Sequence, residues 1–162
     1  MRLSTKGRYA VMAMVDLAGH GNGAPVSLAE IAERQEISLS YLEQLFAKLR
    51  HAGLVRSVRG PGGGYLLGRA GGDTRIADII LAVDEPIRAT RCSPGAPFGC
   101  RANKTRCMTH DLWEELGNQI HLFLASVSLA DVCAHRVLGT SGMRHRRACA
   151  ADPGEPLPIA SR

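Results

Sequence analysis

The stretch SLAEIAERQEISLSYLEQLFAKLRHAG, residues 27–53, predicts two short helices joined by a tight turn. Ser27 followed three residues later by Glu30 is the capping-box pattern that begins a helix. Ser40 and Glu43 repeat that spacing, and the apolar residues around them recur at helical intervals. Two such helices in immediate succession are typical of a helix-turn-helix, whose second helix enters the major groove of DNA.

The outward face of the second helix carries side chains that can form hydrogen bonds. With its leucines and Phe46 turned inward, the outward positions are Ser38, Ser40, Tyr41, Glu43, Gln44, Ala47 and Lys48. Several of these side chains can contact base edges or phosphates, which an ordinary solvated face does not require. The pattern therefore predicts a surface that reads DNA.

The next stretch, GLVRSVRGPGGGYLLGR at residues 53–69, predicts a β-hairpin. Pro61 and the glycines beside it favour a turn between two β-prone segments. A hairpin directly after the recognition helix, the helix that enters the major groove, is a wing. Arg56, Arg59 and Arg69 can reach phosphates or the minor groove from it. A glycine-rich loop can also cradle a nucleotide phosphate, but the Lys-Ser/Thr ending that such a loop needs is missing here.

Charge alone does not decide for a nucleic-acid partner, because a moderately basic half often only keeps a protein soluble; the helix-turn-helix motif is what favours DNA. The chain has 162 residues and is 45% hydrophobic, as expected for a globular domain with a short appendage. Residues 1–70 hold nine Lys or Arg against five acids, so most of the net charge of +5 lies in the predicted DNA-binding half. Apolar runs are too short for a membrane span, and the N-terminus lacks a secretory pattern, so we expect a cytoplasmic protein without a membrane partner.

Three of the five cysteines and one histidine fall within RCSPGAPFGCRANKTRCMTH, residues 91–110. Cys92, Cys100 and Cys107 are separated by seven and six residues, and His110 follows Cys107 after two. Thiolates and a neutral imidazole bind zinc or iron, and these four residues make a complete ligand set. The residues alone leave three interpretations open: an iron–sulfur centre, a zinc site, or redox-active thiols.

A thiol enzyme is a remote alternative. Cys107 and His110 could form a nucleophile and its base, but the sequence offers no third orienting residue and no oxyanion motif. We therefore predict that the protein is not an enzyme. Cys133, near a predicted helix end, is interpreted as a packing residue, and Cys149 as an exposed thiol of the tail.

Two helical segments follow the wing. TRIADIILAVDEP, residues 74–86, predicts a helix that packs on the core, and a long helix begins at about residue 109. The long helix carries an apolar stripe with alternating steps of three and four, formed by Trp113, Leu116, Ile120, Phe123, Val127 and Ala130. This stripe predicts a homodimer seam, the alternative being burial against its own N-terminal domain. Ser128 and Asp131 predict a helix restart.

The predicted fold is mainly α with a small β-hairpin wing: a winged helix-turn-helix plus a long C-terminal dimerisation helix. Residues 1–86 form the expected DNA-binding domain, and 87–110 form the metal-binding loop. The dimerisation helix is expected over 109–134, and a disordered tail over 135–162, where helical periodicity is lost.

The chain resembles the IscR-like family of iron–sulfur cluster regulators over about residues 1–134. The resemblance rests on MRLSTKGRYAVMAMVDLA, ISLSYLEQLF, the wing stretch, AVDEPIRATRC and CMTHDLWEEL, which occur in the order typical of that family. It implies a homodimeric winged-helix transcription factor that binds a 2Fe-2S cluster through three cysteines and one histidine. The ligands implied are Cys92, Cys100, Cys107 and His110, and the DNA readers implied are Ser38, Ser40, Glu43, Gln44 and Arg59.

The resemblance also implies a mechanism of regulation. The cluster-loaded form is expected to repress genes for iron–sulfur assembly, and the cluster-free form to regulate a second class of promoters. Glu43 is expected to make the cluster-free form reject the first class of operator. The partners implied are double-stranded DNA operators, a second copy of the chain, and the iron–sulfur assembly machinery as cluster source. The alternatives are a zinc-stabilised regulator and a regulator that responds to nitric oxide or iron.

Overall fold

A computed structural model describes residues 4–21, 23–87, 92 and 99–137. The elements in this part of the chain are α1 (Thr5–His20), α2 (Leu28–Gln35), α3 (Leu39–His51), β1 (Val55–Val58), β2 (Gly64–Leu67), α4 (Ile76–Ala82), α5 (His110–Ser126) and α6 (Leu129–Cys133). The predicted mainly helical fold with one hairpin is confirmed. None of the described helices is long and apolar enough to cross a membrane.

The first three helices pack around one apolar core. Met14 and Leu17 of α1 and Leu42, Phe46 and Leu49 of α3 are each at most 2% exposed. Within each helix these residues lie three or four positions apart, or a sum of such steps, so each helix turns one face inward. Burying a side chain of this size contributes about 1.5–3 kcal/mol. The buried face fixes α3 on the domain and leaves its opposite face exposed.

Helix α2 begins with the predicted capping box. The backbone N–H of Glu30 donates to Ser27 Oγ at 3.3 Å, and the backbone N–H of Ser27 donates to Glu30 Oε2 at 2.9 Å. Two backbone donors that the helix cannot satisfy internally are thereby paired.

The predicted capping box at the start of α3 is wrong. The helix begins at Leu39, and its N-cap is Ser38, whose side chain accepts from the backbone N–H of Tyr41 at 3.3 Å. Ser40 and Glu43 both lie inside the helix. Ser40 has the capping-box spacing to Glu43, but Ser38 is the residue that adopts the extended backbone that an N-cap requires.

The wing is a two-stranded antiparallel hairpin in which Val55 pairs with Leu67 and Val58 with Gly64. At its tip Gly60 has φ +109°, a conformation that side-chain-bearing residues rarely adopt. Tyr65 joins the wing to the rest of the domain: its ring meets Phe46 edge to face, with 4.9 Å between ring centroids. The wing is thus held against the helix that precedes it.

Two buried carboxylates hold α1 at its two ends. Asp16 accepts hydrogen bonds from Arg34 Nη2 at 2.6 Å and Gln35 Nε2 at 2.7 Å. Glu85 accepts from the backbone N–H of Gly7 at 2.7 Å and from both the backbone and the hydroxyl of Ser4. A carboxylate at a helix N-terminus satisfies unpaired N–H groups and is stabilised by the helix dipole.

The segment 109–134 forms two helices rather than one. The chain becomes extended at Val127, and the predicted restart is confirmed, because Ser128 and Asp131 form a capping box at the start of α6. The apolar stripe on α5 therefore ends at Phe123, and Ala130 belongs to α6, which packs against α1. Residues 138–162 of the predicted tail, including Cys149, lie outside the described residues.

Candidate metal centre and nucleic-acid interface

The four predicted metal ligands come together in space. The ligand atoms of Cys92, Cys100, Cys107 and His110 all lie within 4.8 Å of one another. Cys92 Sγ and Cys107 Sγ are 3.8 Å apart, and the backbone N–H of Cys107 donates to Cys100 Sγ at 3.3 Å. Three sulfurs and an imidazole at these distances can bind one metal centre.

A short turn brings Cys100 towards Cys107. The backbone N–H of Gly99 donates to the Lys104 carbonyl at 3.0 Å, and that of Arg101 donates to the Thr105 carbonyl at 3.1 Å. A Cβ at Gly99 would overlap the backbone of Thr105, so the close approach of the two chain segments requires glycine there. The sequence predicted a metal-binding loop over residues 87–110 but not this turn within it.

Helix α5 places His110 at its first residue, 3% exposed. Its Nε2 lies 3.5 Å from Glu114 Oε2, whereas its buried Nδ1 has no hydrogen-bond partner among the residues that the structure describes. A buried polar atom without a partner costs free energy, which a bound metal ion would remove. The residues present therefore fit a metal or iron–sulfur group, with one imidazole nitrogen free to bind it.

Hydrogen bonds to Cys107 favour the ionised form of its thiol. Hydrogen bonding with Cys100, followed by hydrogen bonding with Thr109, lowers the pKa of Cys107 to about 7. The thiolate is the form that binds metal, and a lowered pKa makes it more abundant at neutral pH. In contrast, burial raises the pKa of Cys133, which packs beside Val15 of α1. Cys133 is a packing residue, as predicted.

The predicted DNA-reading residues divide into two groups. Ser40, Glu43 and Gln44 are exposed on one side of α3, and Arg59 is exposed at the wing. Ser38 and Tyr41 are engaged within the protein. The Ser38 hydroxyl caps α3, and the half-buried Tyr41 ring meets Tyr9 of α1 edge to face, with 6.0 Å between ring centroids.

Sequence reasoning missed two groups of contacts around these sites. Lys48 on α3 is bound to Asp84 through a 2.6 Å ion pair, so part of the outward face is already engaged. Around the ligands, Thr109, Trp113 and Glu114 contact one another or the metal-binding residues. The second group could have been found from the sequence, because each of the pairs Thr109–Trp113 and His110–Glu114 is four residues apart on one helix.

A helix-turn-helix with a wing, a basic N-terminal half and an open reading face define the class of DNA-binding transcriptional regulators. Residues 3–135 match the Rrf2 family, described as iron-dependent transcriptional regulators. The chain belongs to this family and is a transcriptional regulator.

The chain is similar to proteins named IscR. It is 58% identical over 132 residues to the HTH-type transcriptional regulator IscR of Xenorhabdus nematophila, covering 82% of this chain and 79% of that protein. The structure of T. potens IscR is similar with a TM-score of 0.68 and 41% identity, covering 85% of this chain and 89% of that one. CymR, the global cysteine regulator of B. subtilis, superimposes with a TM-score of 0.70 at 33% identity, over 83% of this chain and 98% of CymR.

Proposed function

We propose that the protein is a homodimeric, cytoplasmic transcriptional regulator that binds a 2Fe-2S cluster through Cys92, Cys100, Cys107 and His110. The observation that carries the proposal is the convergence of these four ligand atoms within 4.8 Å in a winged-helix protein similar to IscR. When bound, the cluster makes the protein sensitive to oxidants and to iron shortage, because both change or remove it. The iron–sulfur assembly machinery is the proposed source of the cluster.

Zinc is the second candidate for the same ligands. A zinc ion with Zn–S bonds of about 2.3 Å in tetrahedral geometry holds its sulfurs about 3.8 Å apart. The Cys92–Cys107 distance of 3.8 Å matches that value. A centre with two irons would need its four ligand atoms farther apart than a single zinc ion does. The spacing along the chain favours the cluster, because zinc sites usually pair cysteines two to four residues apart.

The proposed reading surface consists of α3 and the wing. Gln44 and Ser40 can hydrogen-bond to base edges, and Arg59 can reach phosphates or the minor groove. Glu43 can accept a hydrogen bond from a cytosine amino group and repels the duplex elsewhere, which gives selectivity between operator classes. Since Ser38 and Tyr41 are engaged within the domain, their roles are to place the helix and to contact backbone rather than bases.

Contacts between α4 and the reading helix support a link between the metal loop and DNA. Asp84 and Glu85 follow α4 and lead towards Cys92. Asp84 binds Lys48 of α3, and Glu85 binds the first turn of α1. A change in the metal-binding loop that displaces Asp84 and Glu85 would therefore act on both α1 and α3.

The proposed dimer seam is the exposed apolar face of α5. Trp113, Leu116 and Phe123 are 36–44% exposed in the protomer, although side chains of this kind are usually buried. A row of large apolar residues along one helix marks an interaction surface. A second copy fits because symmetric winged-helix dimers read paired half-sites.

The absorption spectrum of the anaerobically prepared protein tests the cofactor. We expect bands between roughly 400 and 500 nm with equal amounts of iron and acid-labile sulfide, as is typical of 2Fe-2S proteins. Alanine at Cys92, Cys100 or Cys107 should remove the bands, whereas Cys133→Ala, which changes a thiol outside the ligand set, should keep them. A colourless wild type with one bound zinc per chain would replace the cluster by the zinc alternative.

DNA binding by the loaded and cluster-free forms tests the regulatory part. The two forms should differ in which operators they bind when the titrations are made at one fixed salt concentration. The cluster-dependent operators should lose binding in the Cys92→Ala variant and keep it in Cys133→Ala. Equal binding of both forms to every operator would remove the sensing role.

A further inference from the structure

The hydroxyl of Thr109, directly before α5, does not form the hydrogen bond that is usual at that position. Thr109 is the N-cap of α5, a position at which threonine ordinarily accepts a hydrogen bond from the helix backbone. In the described structure its side chain forms no such cap. Its Oγ1 lies instead 3.7 Å from Cys107 Sγ and 3.0 Å from Trp113 Nε1.

The chemistry of the indole determines the direction of these hydrogen bonds. The Trp113 Nε1–H group is a donor only, so Thr109 Oγ1 must accept from it. The hydroxyl proton of Thr109 then remains available for another acceptor. A metal-bound cysteine is a thiolate with no proton of its own, so once Cys107 binds metal the Thr109 hydroxyl is the group that can donate to Cys107 Sγ.

From this geometry we infer that Thr109 donates a hydrogen bond to the Cys107 thiolate and that Trp113 is the positioning residue that orients the Thr109 hydroxyl. The inference rests on the proposed function, because it assigns Cys107 as a ligand of the bound group. Hydrogen bonds to ligand sulfurs stabilise the more negative, reduced state of an iron–sulfur centre and so raise its reduction potential. This pair would therefore tune the sensor without contacting the metal.

Trp113 also connects the metal site to the proposed dimer seam. Its ring is 36% exposed on the apolar face of α5, while its N–H points to Thr109. A second copy that covers this face would hold the ring and the hydroxyl in place. The reduction potential is therefore expected to depend on assembly as well as on the ligands.

Four variants of the anaerobic full-length protein test the inference through the midpoint potential. Thr109→Val removes the hydroxyl at nearly constant volume, and Trp113→Phe removes the indole donor but keeps an aromatic ring. Both should shift the potential to lower values and change the Fe–S stretching frequencies in resonance Raman spectra. Thr109→Ser keeps the hydroxyl and should retain the wild-type potential. Thr5→Val is the control, because Thr5 is exposed at the first residue of α1.

The outcomes separate this inference from the proposed function. A cluster in Thr109→Val with the wild-type potential overturns the sulfur hydrogen bond, and an unshifted Trp113→Phe overturns the positioning role. A colourless wild type refutes the proposed cofactor. In that event the ultraviolet resonance Raman band of the indole N–H still decides the geometry, because Trp113 is the single tryptophan of the chain. The band should shift in Thr109→Val, and an unchanged band overturns the inference.

Discussion

Helices α1 and α5 have nearly the same length, 16 and 17 residues, but opposite environments. Helix α1 buries Ala10, Ala13, Met14 and Leu17 in the core, and its two ends are held by the carboxylates of Asp16 and Glu85. Helix α5, within the described structure, buries His110 and Gly117 and leaves Trp113, Leu116, Leu122 and Phe123 exposed.

This difference in burial separates a helix packed inside the protomer from a helix whose large apolar residues are exposed. The buried residues of α1 pack in the core within one chain, against the other helices of the predicted DNA-binding domain. Helix α5 carries apolar side chains that the described residues of the protomer leave exposed, together with His110 and, directly before it, Thr109 at the candidate metal site. Its environment is therefore expected to be completed from outside, by a second copy on one face and by the bound group at its first turn.

The largest effect is expected from substitutions on α5. Replacing both Ile120 and Phe123 by Asp should convert the dimer to monomer, because unpaired charges buried in the seam cost at least about 3 kcal/mol. The helical content of the reading domain should remain, and operator binding should weaken because one half-site provides fewer contacts. Sedimentation measures the change of mass.

A control adds a charge to α5 outside the stripe through His121→Asp, at an exposed position. This variant should stay dimeric. If the Ile120/Phe123 variant also sediments as a dimer, the seam lies elsewhere on the chain.

On α1 the corresponding substitution is Asp16→Ala. The change removes the acceptor that joins α1 to Arg34 and Gln35 of α2, and we expect a loss of about 2–3 kcal/mol in the free energy of unfolding. Urea denaturation measures it. Asp73→Ala, at an exposed position, should change stability by less than about 0.5 kcal/mol. Equal small losses in both variants would show that the buried carboxylate does not stabilise the domain.

The Asp16 contribution should depend on pH. Burial raises the pKa of Asp16, but hydrogen bonds from Arg34 and Gln35 and the charge of Arg34 outweigh it, so the pKa lies below its ordinary value of 3.8. A depressed pKa stabilises the fold above the unfolded pKa and ceases to do so as the pH falls through the folded one. The stability difference between wild type and Asp16→Asn should be full at neutral pH and should shrink below about pH 4. A difference that stays constant to lower pH would contradict the ionised pair.

A substitution at Glu43, which is exposed on α3, tests the proposed DNA-binding face. Since the capping box with Ser40 does not form, Glu43 is available for DNA selectivity. Glu43→Ala in the cluster-free protein should gain about 1–3 kcal/mol of binding free energy for cluster-dependent operators. Titration against both operator classes at one salt concentration measures this gain. Uniform weakening at every operator would instead assign Glu43 to helix stability.

The smallest expected effect concerns the start of the same helix. Ser38→Ala removes the observed N-cap and should lower the free energy of unfolding by about 1 kcal/mol. Ser40→Ala, inside the helix, should change it by less than about 0.5 kcal/mol. Thermal or urea denaturation of the pair is sufficient. The reverse order would restore the start predicted from the sequence.

Much of the fold was predictable because its signals are local. The capping box of Ser27 and Glu30, the restart at Ser128 and the turn at the wing tip involve residues within a few positions of one another. The choice between Ser38 and Ser40 was not predictable in this way. Ser40 has Glu43 three residues on and Ser38 does not, yet α3 begins after Ser38, because the burial of Ile37 and the packing of Leu42 select the register. The stripe from Trp113 to Ala130 predicts one dimerisation helix over 109–134, but Val127 is extended and the restart at Ser128 divides the segment into α5 and α6.

At the site, the residue types could be predicted from the sequence: three thiols, an imidazole and an amphipathic helix that begins at the last proposed ligand. The contacts that these residues make depend on the folded structure. Cys92 contacts Cys107 across 15 positions, Glu85 binds the first turn of α1 across 78 or more, and Thr109 turns its hydroxyl away from the helix backbone to a sulfur. Local patterns depend on hydrogen bonds between near neighbours. Convergence requires loops to close, and the burial that offsets the entropy of closing them is a property of the whole fold.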